Sequence, residues 1–342
     1  MSPPSGPATI TLSTHHTRAI VTDAFAAAGL ALDEASRITD SLLEAELREV
    51  PTHGIFRVPG YLQRLRDGSL APARDLSIES VTGACGMIEA PGCLGYLPTW
   101  LAVESAVRSS HEFGIGACGV RGISEFGRAA YYVARAVDLG AVAIVCQNTQ
   151  PILAAPGAAV ATHGNNPIAF GSPGADAPIF DAALSRRSMG EIKRRSMLEL
   201  PIPLEWGYLD ETGKPTTDAA RAAESPQQAV GGAKGFGIAV LVDLLAGVLT
   251  GAASGPAVVA GDATVGAMVI ALSPKRFGLS QENLADAFGN SARHVRDAGG
   301  RWPGDRASAA AERNRMAESF EVPQPILASV CTYIPELANA VR

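Results

Sequence analysis

The segment Gly114-Ile-Gly-Ala-Cys-Gly119 spells GxGxxG, yet its surroundings exclude the nucleotide fold that those letters usually mark. A dinucleotide fingerprint follows a strand and opens a helix, so that the pyrophosphate meets the helix N-terminus. Here the order is reversed. A helical pattern from Pro98 to Phe113 comes before the glycines, and a β-rich run from Ile115 to Val120 contains them. Gly231-Gly-Ala-Lys-Gly-Phe-Gly237 also fails as a Walker A loop, because no GK[ST] follows its first glycine at the required spacing. Any nucleotide site must be built by another route.

The periodicity around these glycines predicts an α/β (α+β) chain. Amphipathic helices are expected over 17–29 and 33–49, with Asp33 as N-cap of the second, and a third helix ends near Asp67-Gly68. Strand-like pieces follow at Leu76 to Val81 and Gly86 to Glu89. From Gly114 onward, short β-rich runs alternate with helices: Ile115 to Val120, Ala141 to Gln147, Asn166 to Gly171, Ile179 to Asp181 and Ala267 to Leu272, against helical patterns at 126–139, 189–200 and 237–250. Helices return after Ser280, at 282–288, 306–318 and 325–332. With 342 residues there is room for two domains. The simplest division is a β-containing domain over 113–279 and a helical domain built from both chain ends, 1–112 with 280–342. The first eighteen residues read as a frayed tail leading into a short strand.

Composition removes several classes of function. A hydrophobic share of 47% with 18% charged residues is that of a soluble globular protein. A net charge of −6 without Lys/Arg runs leaves no electrostatic footprint for nucleic acid or an anionic membrane, so a small anion must be held by specific residues. Cys85, Cys93, Cys118, Cys146 and Cys331 are odd in number, widely spaced and without a CxxC pair. Neither a disulfide framework nor a zinc site is suggested, and no metal is expected; a reduced cytosol fits best. The apolar stretch from Gly235 to Pro256 carries Asp243 in its middle, which favours a buried helix over a bilayer span.

The chemistry concentrates in Glu46-Leu-Arg-Glu-Val-Pro-Thr-His-Gly-Ile-Phe-Arg-Val-Pro-Gly-Tyr61. Pro51 must stop the preceding helix, which leaves His53 on a helix-to-helix connection. Arg57 and Tyr61 follow at steps of four, which stacks them on one face of a helix running from Phe56 to Leu65, with Pro59 in its first turn. A titratable imidazole, a fixed cation and a phenol together suit a small carboxylate. The same residues also fit a helix cap and a solvated helix face.

The string Thr52-His-Gly-Ile-Phe-Arg-Val-Pro-Gly-Tyr61 resembles the SHGVxRxPxY signature of the malate/L-lactate dehydrogenase-like oxidoreductases, a family that includes ureidoglycolate, sulfolactate and 2-hydroxyacid dehydrogenases and the piperideine/pyrroline-2-carboxylate reductases. Further matching blocks run in order from about residue 17 to about residue 315, among them Gln147-Asn-Thr149, Gly164 to Phe170, Phe180 to Ser185, Gly213 to Asp218, Gly232 to Gly237 and Pro303 to Arg306. The resemblance implies a non-Rossmann NAD(P)-binding domain with a mostly antiparallel seven-stranded sheet, a cofactor cleft shared with the helical domain, and a homodimer.

It also implies roles. His53 exchanges the proton at the reacting heteroatom, and Thr52 stands where the family has a Ser that positions the imidazole. Arg57 holds the substrate carboxylate, Tyr61 lines the same pocket, and Thr149 touches substrate or nicotinamide. Asn165, Asn166 and Pro167, with Ala183, Leu184 and Ser185, run along the cofactor; Lys234 and the turn Gly304-Asp305-Arg306 grip its ribose or phosphates. An ordinary surface lysine and an ordinary capped helix start are the competing readings for Lys234 and for Asp305 with Arg306.

Two departures from the family pattern stand out. Glu125 in Ser124-Glu-Phe-Gly127 replaces a second active-site His, in a position expected to face substrate. Glu191 in Gly190-Glu191 stands where hydroxyacid dehydrogenases carry Lys and cyclic-imine reductases carry an acid that pairs with the catalytic His; it reads either as that relay carboxylate or as an exposed helix-start acid. Around it, Arg186, Arg187, Lys193, Arg194 and Arg195 form either a solvated face or a seat for the 2′-phosphate of NADPH. The expected function is hydride transfer from NADPH or NADH, with a lean to NADPH, to C2 of a small cyclic 2-imino carboxylate. The alternatives are a 2-hydroxyacid dehydrogenase on the same scaffold and a catalytically retired dinucleotide-binding protein.

Overall fold

In a computed structural model, which describes residues 7–208, 210 and 214–341, seven strands form one sheet. Their order is Ile78–Thr82, Cys85–Glu89, Ile115–Ile123, Val265–Leu272, Val142–Gln147, Ile168–Gly171 and Ile179–Ala182. Cys85–Glu89 and Ile115–Ile123 run parallel, and the helix Tyr96–Phe113 supplies the crossover that parallel neighbours need. The other neighbouring pairs are antiparallel, so the sheet is mixed within an α/β fold.

The central strand, Val265–Leu272, shows why the sheet is buried on both faces. Its alternate residues Val265, Ala267, Val269 and Ala271 join a core with Ala102, Val103 and Ala106 of helix Tyr96–Phe113 and Tyr132, Val133 and Ala136 of helix Ala129–Asp138. Met268 and Ile270 point the other way, into a second cluster with Ala239, Val242 and Ala246. The glycines of the GxGxxG string belong to this packing. Gly114 ends the helix with φ +92, and Gly116 lies so close to it that a Cβ would stand 2.1 Å from the Ala106 carbonyl oxygen.

Two compact units divide the chain, and their limits differ from the expected ones. The sheet unit comprises Ser69–Leu184 and Ala229–Arg306; the other comprises Met1–Gly68, Ser185–Gln228 and Ala307–Arg342. Helix Tyr96–Phe113 and the strands Ile78–Thr82 and Cys85–Glu89, expected in the helical domain, bury their apolar faces on the sheet. Residues 185–228, expected in the β domain, carry a small core of their own from Ile192, Ile202, Tyr208, Ala219 and Ala222. Periodicity predicts a helix and its apolar face but not the partner that covers it.

In the second unit the strand Thr9–Ser13 pairs antiparallel with Ser319–Pro323, with Leu12 opposite Phe320. Helix Leu32–Leu47 buries Ile38, Leu42, Leu43 and Ala45 beside them, together with Glu46. The expected tail at residues 1–6 and Gly213 of the block ending at Asp218 lie outside the described residues. Among the described residues no helix is long and apolar enough to cross a membrane. The apolar stretch after Gly235 forms the helix Ala233–Asp243 and a π turn, Leu244–Val248.

Candidate active site

Helix Leu32–Leu47 stops at Arg48, and Glu49 turns the chain with φ +54 toward Pro51. Two 3-10 turns follow, Pro51–His53 and Ile55–Arg57, before helix Val58–Arg66 begins. The expected helix from Phe56 to Leu65 thus starts later, after a tighter lead-in. That lead-in keeps the functional groups together. Thr52 Oγ1 and His53 Nδ1 lie 3.0 Å apart, and Arg57 Nε donates to the Thr52 carbonyl at 2.8 Å. His53 and Arg57 are half-buried, whereas Tyr61 is only 2% exposed and belongs to the core.

The carboxylate that meets this turn is Glu46. Its Oε1 accepts the Ile55 N–H at 2.8 Å, and a Cβ at Gly54 would stand 2.0 Å from the same oxygen. Burial pushes the Glu46 carboxyl up to about 8, against the opposing effects of the Ile55 N–H and the Arg194 charge. Glu191 is held by two arginines. It lies in the first turn of helix Met189–Met197, where Ser188 caps its N–H, and its two oxygens accept from Arg194 Nε at 3.0 Å and Arg195 Nε at 2.9 Å. Its neighbour Gly190 reaches the turn directly: a Cβ there would be 3.1 Å from Thr52 Cβ and 3.5 Å from Arg57 Nη2.

The basic cluster around Glu191 is largely engaged with its surroundings. Arg194 and Arg195 pair with Glu191, and Arg195 and Arg187 both stack on the Trp206 ring, 4.9 and 4.8 Å from its centroid. Arg186 Nη1 donates to Gln228 Oε1 at 3.2 Å. Ser185, buried, donates to the Arg187 carbonyl.

The sheet unit assembles a second group of residues. Thr149 Oγ1 donates to Asn165 Oδ1 at 2.9 Å, and its N–H donates to Asn166 Oδ1 at 3.0 Å. Asn166, fully buried with φ +36, donates through Nδ2 to the Ala239 carbonyl at 2.8 Å. Leu184 N–H bonds to the Asn165 carbonyl, and Val230 N–H bonds to the Leu184 carbonyl. This ladder carries the chain from Asn165 through Ala183-Leu184 to Gly231 and Gly232, both at positive φ with open space where a Cβ would be, and then into the helix that holds Lys234. Pro167 contributes its carbonyl to Gln147 N–H.

That helix start fits a phosphate. No side chain caps its first N–H groups, the two glycines let an anion approach the backbone, and Lys234 is exposed in the first turn. Asp305 is differently placed. Arg296 donates to it twice, at 3.1 and 2.7 Å, which holds its carboxyl below the usual range, and it accepts the Trp302 N–H. The carboxylate is thereby occupied in capping the turn at Gly304, next to Arg306.

Glu125 stands on a loop held from below. Gln147, 2% exposed, accepts the Phe126 N–H through Oε1 at 3.3 Å and donates through Nε2 to the Ser124 carbonyl at 2.6 Å. Asn148 ties the same strand end to helix Ala233–Asp243, donating to Asp243 Oδ1 at 3.0 Å. Glu46, Gln147 and the Asn148–Asp243 pair lie in segments quoted above but carry no predicted site role. Glu46 had a signal: it continues the spacing of Ile38 and Leu42 by four, which places a carboxylate on the apolar face of its helix. Among the described residues no group of three or more His, Cys, Asp or Glu side chains could hold a metal ion.

The profile of the malate/L-lactate dehydrogenase family matches residues 12–331. The chain is 32% identical over 309 residues to the L-sulfolactate dehydrogenase of Methanothermobacter thermautotrophicus, covering 88% of this chain and 89% of that protein. It is 30% identical over 287 residues to the Δ1-pyrroline-2-carboxylate/Δ1-piperideine-2-carboxylate reductase of Pseudomonas aeruginosa, with 81% and 85% covered. Among solved structures, a dehydrogenase from Sinorhizobium meliloti superposes with a TM-score of 0.87 at 27% identity, over 96% of this chain and 98% of that one. The chain belongs to the malate/L-lactate dehydrogenase family and is an NAD(P)-dependent oxidoreductase.

Proposed function

We propose that the enzyme reduces a small cyclic 2-imino carboxylate to an amino acid, with His53 as proton donor to nitrogen. The observation that carries this reading is the single turn in which Thr52, His53 and Arg57 hold one another. Arg57 grips the substrate carboxylate as a permanently charged fork, its direction set by the bond from Nε to the Thr52 carbonyl. Thr52 orients the imidazole in either protonation state, because a hydroxyl both donates and accepts. The nicotinamide, when bound, supplies the hydride for C2; the substrate C=N becomes C–N as its carbon takes that hydride and its nitrogen takes the His53 proton. Tyr61 closes the apolar wall behind Arg57. Glu191 supports the turn indirectly, by anchoring Arg194 and Arg195 in the helix whose Gly190 lies against Thr52.

The seven-stranded sheet unit holds NADPH or NADH without a Rossmann fingerprint. Asn165, Asn166, Pro167, Ala183, Leu184 and Ser185 run beside it, and Lys234 at the open helix start takes a phosphate; Gly304 to Arg306 close its far end. NADPH is favoured, with Arg186 and Arg187 as partners for the extra phosphate. Glu125 favours an imine over a ketone, since a carboxylate stabilises a protonated iminium and repels the developing alkoxide of a keto acid. The second reading, a 2-hydroxyacid dehydrogenase, draws on the sulfolactate dehydrogenase at 32% identity. The five free thiols suit a reducing cytosol. The exposed apolar row Ile238, Leu241, Leu244 and Val248 suits burial by a second copy of the chain, which makes the working form a homodimer.

The test is the disappearance of reduced-nicotinamide absorbance with a panel of cyclic 2-imino, 2-keto and sulfonated 2-keto acids. Preference for the cyclic imine supports the first reading and preference for a keto acid the second. Tight dinucleotide binding without oxidation by any of them indicates a retired binding protein.

A further inference from the structure

The buried Glu46 has no part in the chemistry described so far. It projects from the last turn of helix Leu32–Leu47 on the row of Ile38 and Leu42, and it is 6% exposed. An acid on that row must find a partner, because burying a carboxyl without one is costly. The partner is the Ile55 N–H, two residues beyond His53 and two before Arg57. The space for the carboxyl exists only because residue 54 lacks a side chain. Gly54 itself has φ −94 and ψ −153, a conformation open to any residue, so the glycine answers to the close approach of Glu46 and not to the backbone.

We propose that Glu46 is a positioning residue for the reaction: its carboxyl accepts the Ile55 N–H and fills the volume over Gly54, and this fixes the peptide links that aim His53 and Arg57. The inference rests on the proton-donor reading of His53 and the clamp reading of Arg57. The contact adds to the others that hold this turn, among them Gly190 against Thr52 and the bond from Arg57 Nε to the Thr52 carbonyl. His53 N–H reaches Val50 and Arg57 N–H reaches Gly54, each within the turn itself, whereas the Glu46 carboxyl ties residue 55 back to the preceding helix. With the carboxyl raised to about 8 by burial, it is mostly protonated at neutral pH, so a glutamine reproduces both its size and its acceptor oxygen.

Three variants test this: Glu46→Gln, Glu46→Ala and Gly54→Ala, each compared with the parent by turnover, cofactor affinity and amide hydrogen exchange of the peptide spanning residues 50–58. In Glu46→Ala, kcat should fall by about 10- to 100-fold, the scale of a misplaced reacting group, while the cofactor Kd stays at the parental value. Glu46→Gln should restore kcat. Exchange of the 50–58 amides should speed up in Glu46→Ala and remain slow in Glu46→Gln. Gly54→Ala should damage kcat and stability in the parent but much less in the Glu46→Ala background, where the clashing oxygen is gone. If Glu46→Ala fails to fold, Glu46→Gln and Gly54→Ala in the parent still decide the matter: parental kcat and slow exchange in Glu46→Gln with a lowered kcat in Gly54→Ala support the proposal, and a kcat loss in Glu46→Gln overturns it. Unchanged exchange in Glu46→Ala, equal damage from Gln and Ala, or additive losses in the double variant would each overturn the proposal. A wrong role for His53 shows itself differently: His53→Ala would keep its turnover while the exchange pattern of the Glu46 variants stood as expected.

Discussion

Two loops carry most of the polar groups discussed above, and they are rigidified by opposite means. In the 51–57 turn a side chain reaches in to hold the main chain: Glu46 bonds the Ile55 N–H, and Arg57 bonds the Thr52 carbonyl. Around 164–167 the side chains hold one another and the next segments follow by main-chain bonds, from Asn165 to Leu184 to Val230. The first arrangement aims two individual side chains, His53 and Arg57. The second leads to two glycines with open space beside them, at 231 and 232, and to a helix start that no side chain caps, which suits a phosphate. A group that moves a proton needs one direction; a group that binds an anion needs a lined surface. Substitutions in the two loops should therefore separate turnover from cofactor binding.

The largest expected effect is in the first loop. His53→Ala should lower kcat by roughly 10²- to 10⁴-fold, the usual worth of a positioned general acid, with the cofactor Kd unchanged in a fluorescence titration. Equal losses in kcat and in cofactor affinity would break the contrast between the loops. Next comes Arg57→Lys, which keeps the charge but loses the fork and the bond from Nε to Thr52. KM for the carboxylate should rise by on the order of 10-fold, with a smaller fall in kcat. A Lys variant with parental KM would remove Arg57 from the clamp.

In the second loop, Lys234→Ala should weaken dinucleotide binding by about 10-fold, as expected for one charge-assisted phosphate contact, and leave kcat at saturating cofactor near the parental value. NADPH and NADH affinities measured side by side sharpen this further. A loss confined to NADPH would move Lys234 from the pyrophosphate to the extra phosphate, and a loss in Arg186→Ala confined to NADPH would place that contact in the basic cluster instead. A separate surface change, Leu241→Asp, should shift the sedimentation profile from dimer toward monomer, because it sets a charge in the exposed apolar row. An unshifted profile would remove that row from any subunit contact.

How far these features can be read from sequence depends on what covers each residue. The GxGxxG string was interpretable because local order decides it: a helix before the glycines and a strand through them leave no helix start for a phosphate, and Gly116 instead admits the Ala106 carbonyl. Helices and strands of the sheet unit follow from period alone, as Val265–Leu272 does with its two faces in two cores. The domain limits do not, because the apolar face of helix Tyr96–Phe113 looks the same whether a sheet or another helix receives it. The closeness of Thr52, His53 and Arg57 was legible because one short string carries all three. At Glu191 the neighbours three and four residues on are arginines that hold its carboxylate. That pairing was open to inspection in the sequence. The Glu46 contact was not, because it spans nine residues across a proline-broken turn whose path no periodicity describes.

The smallest expected effect on activity, and the one most specific to the first loop, is in the pH dependence of stability. The Glu46 carboxyl has an ordinary value of 4.5 and is raised to about 8 in the fold. The folded chain thus binds this proton more tightly than the unfolded chain, and stability is fully present below the unfolded value and lost as pH rises from there through about 8. Arg194 opposes part of that loss, because its charge favours the ionised form. Glu46→Gln removes the titration while keeping the acceptor for Ile55. The Tm of the variant should therefore match that of the parent near pH 5, exceed it by a growing margin as pH rises through the Glu46 value, and hold a constant lead above it. In the sheet unit no residue of the 164–167 loop titrates in this range, so a Gln at 46 isolates the first loop alone. Parallel Tm curves for parent and variant across that window would mean that the carboxyl is already ionised in the fold, and the Ile55 N–H would then be bonded to a charge that Arg194 stabilises.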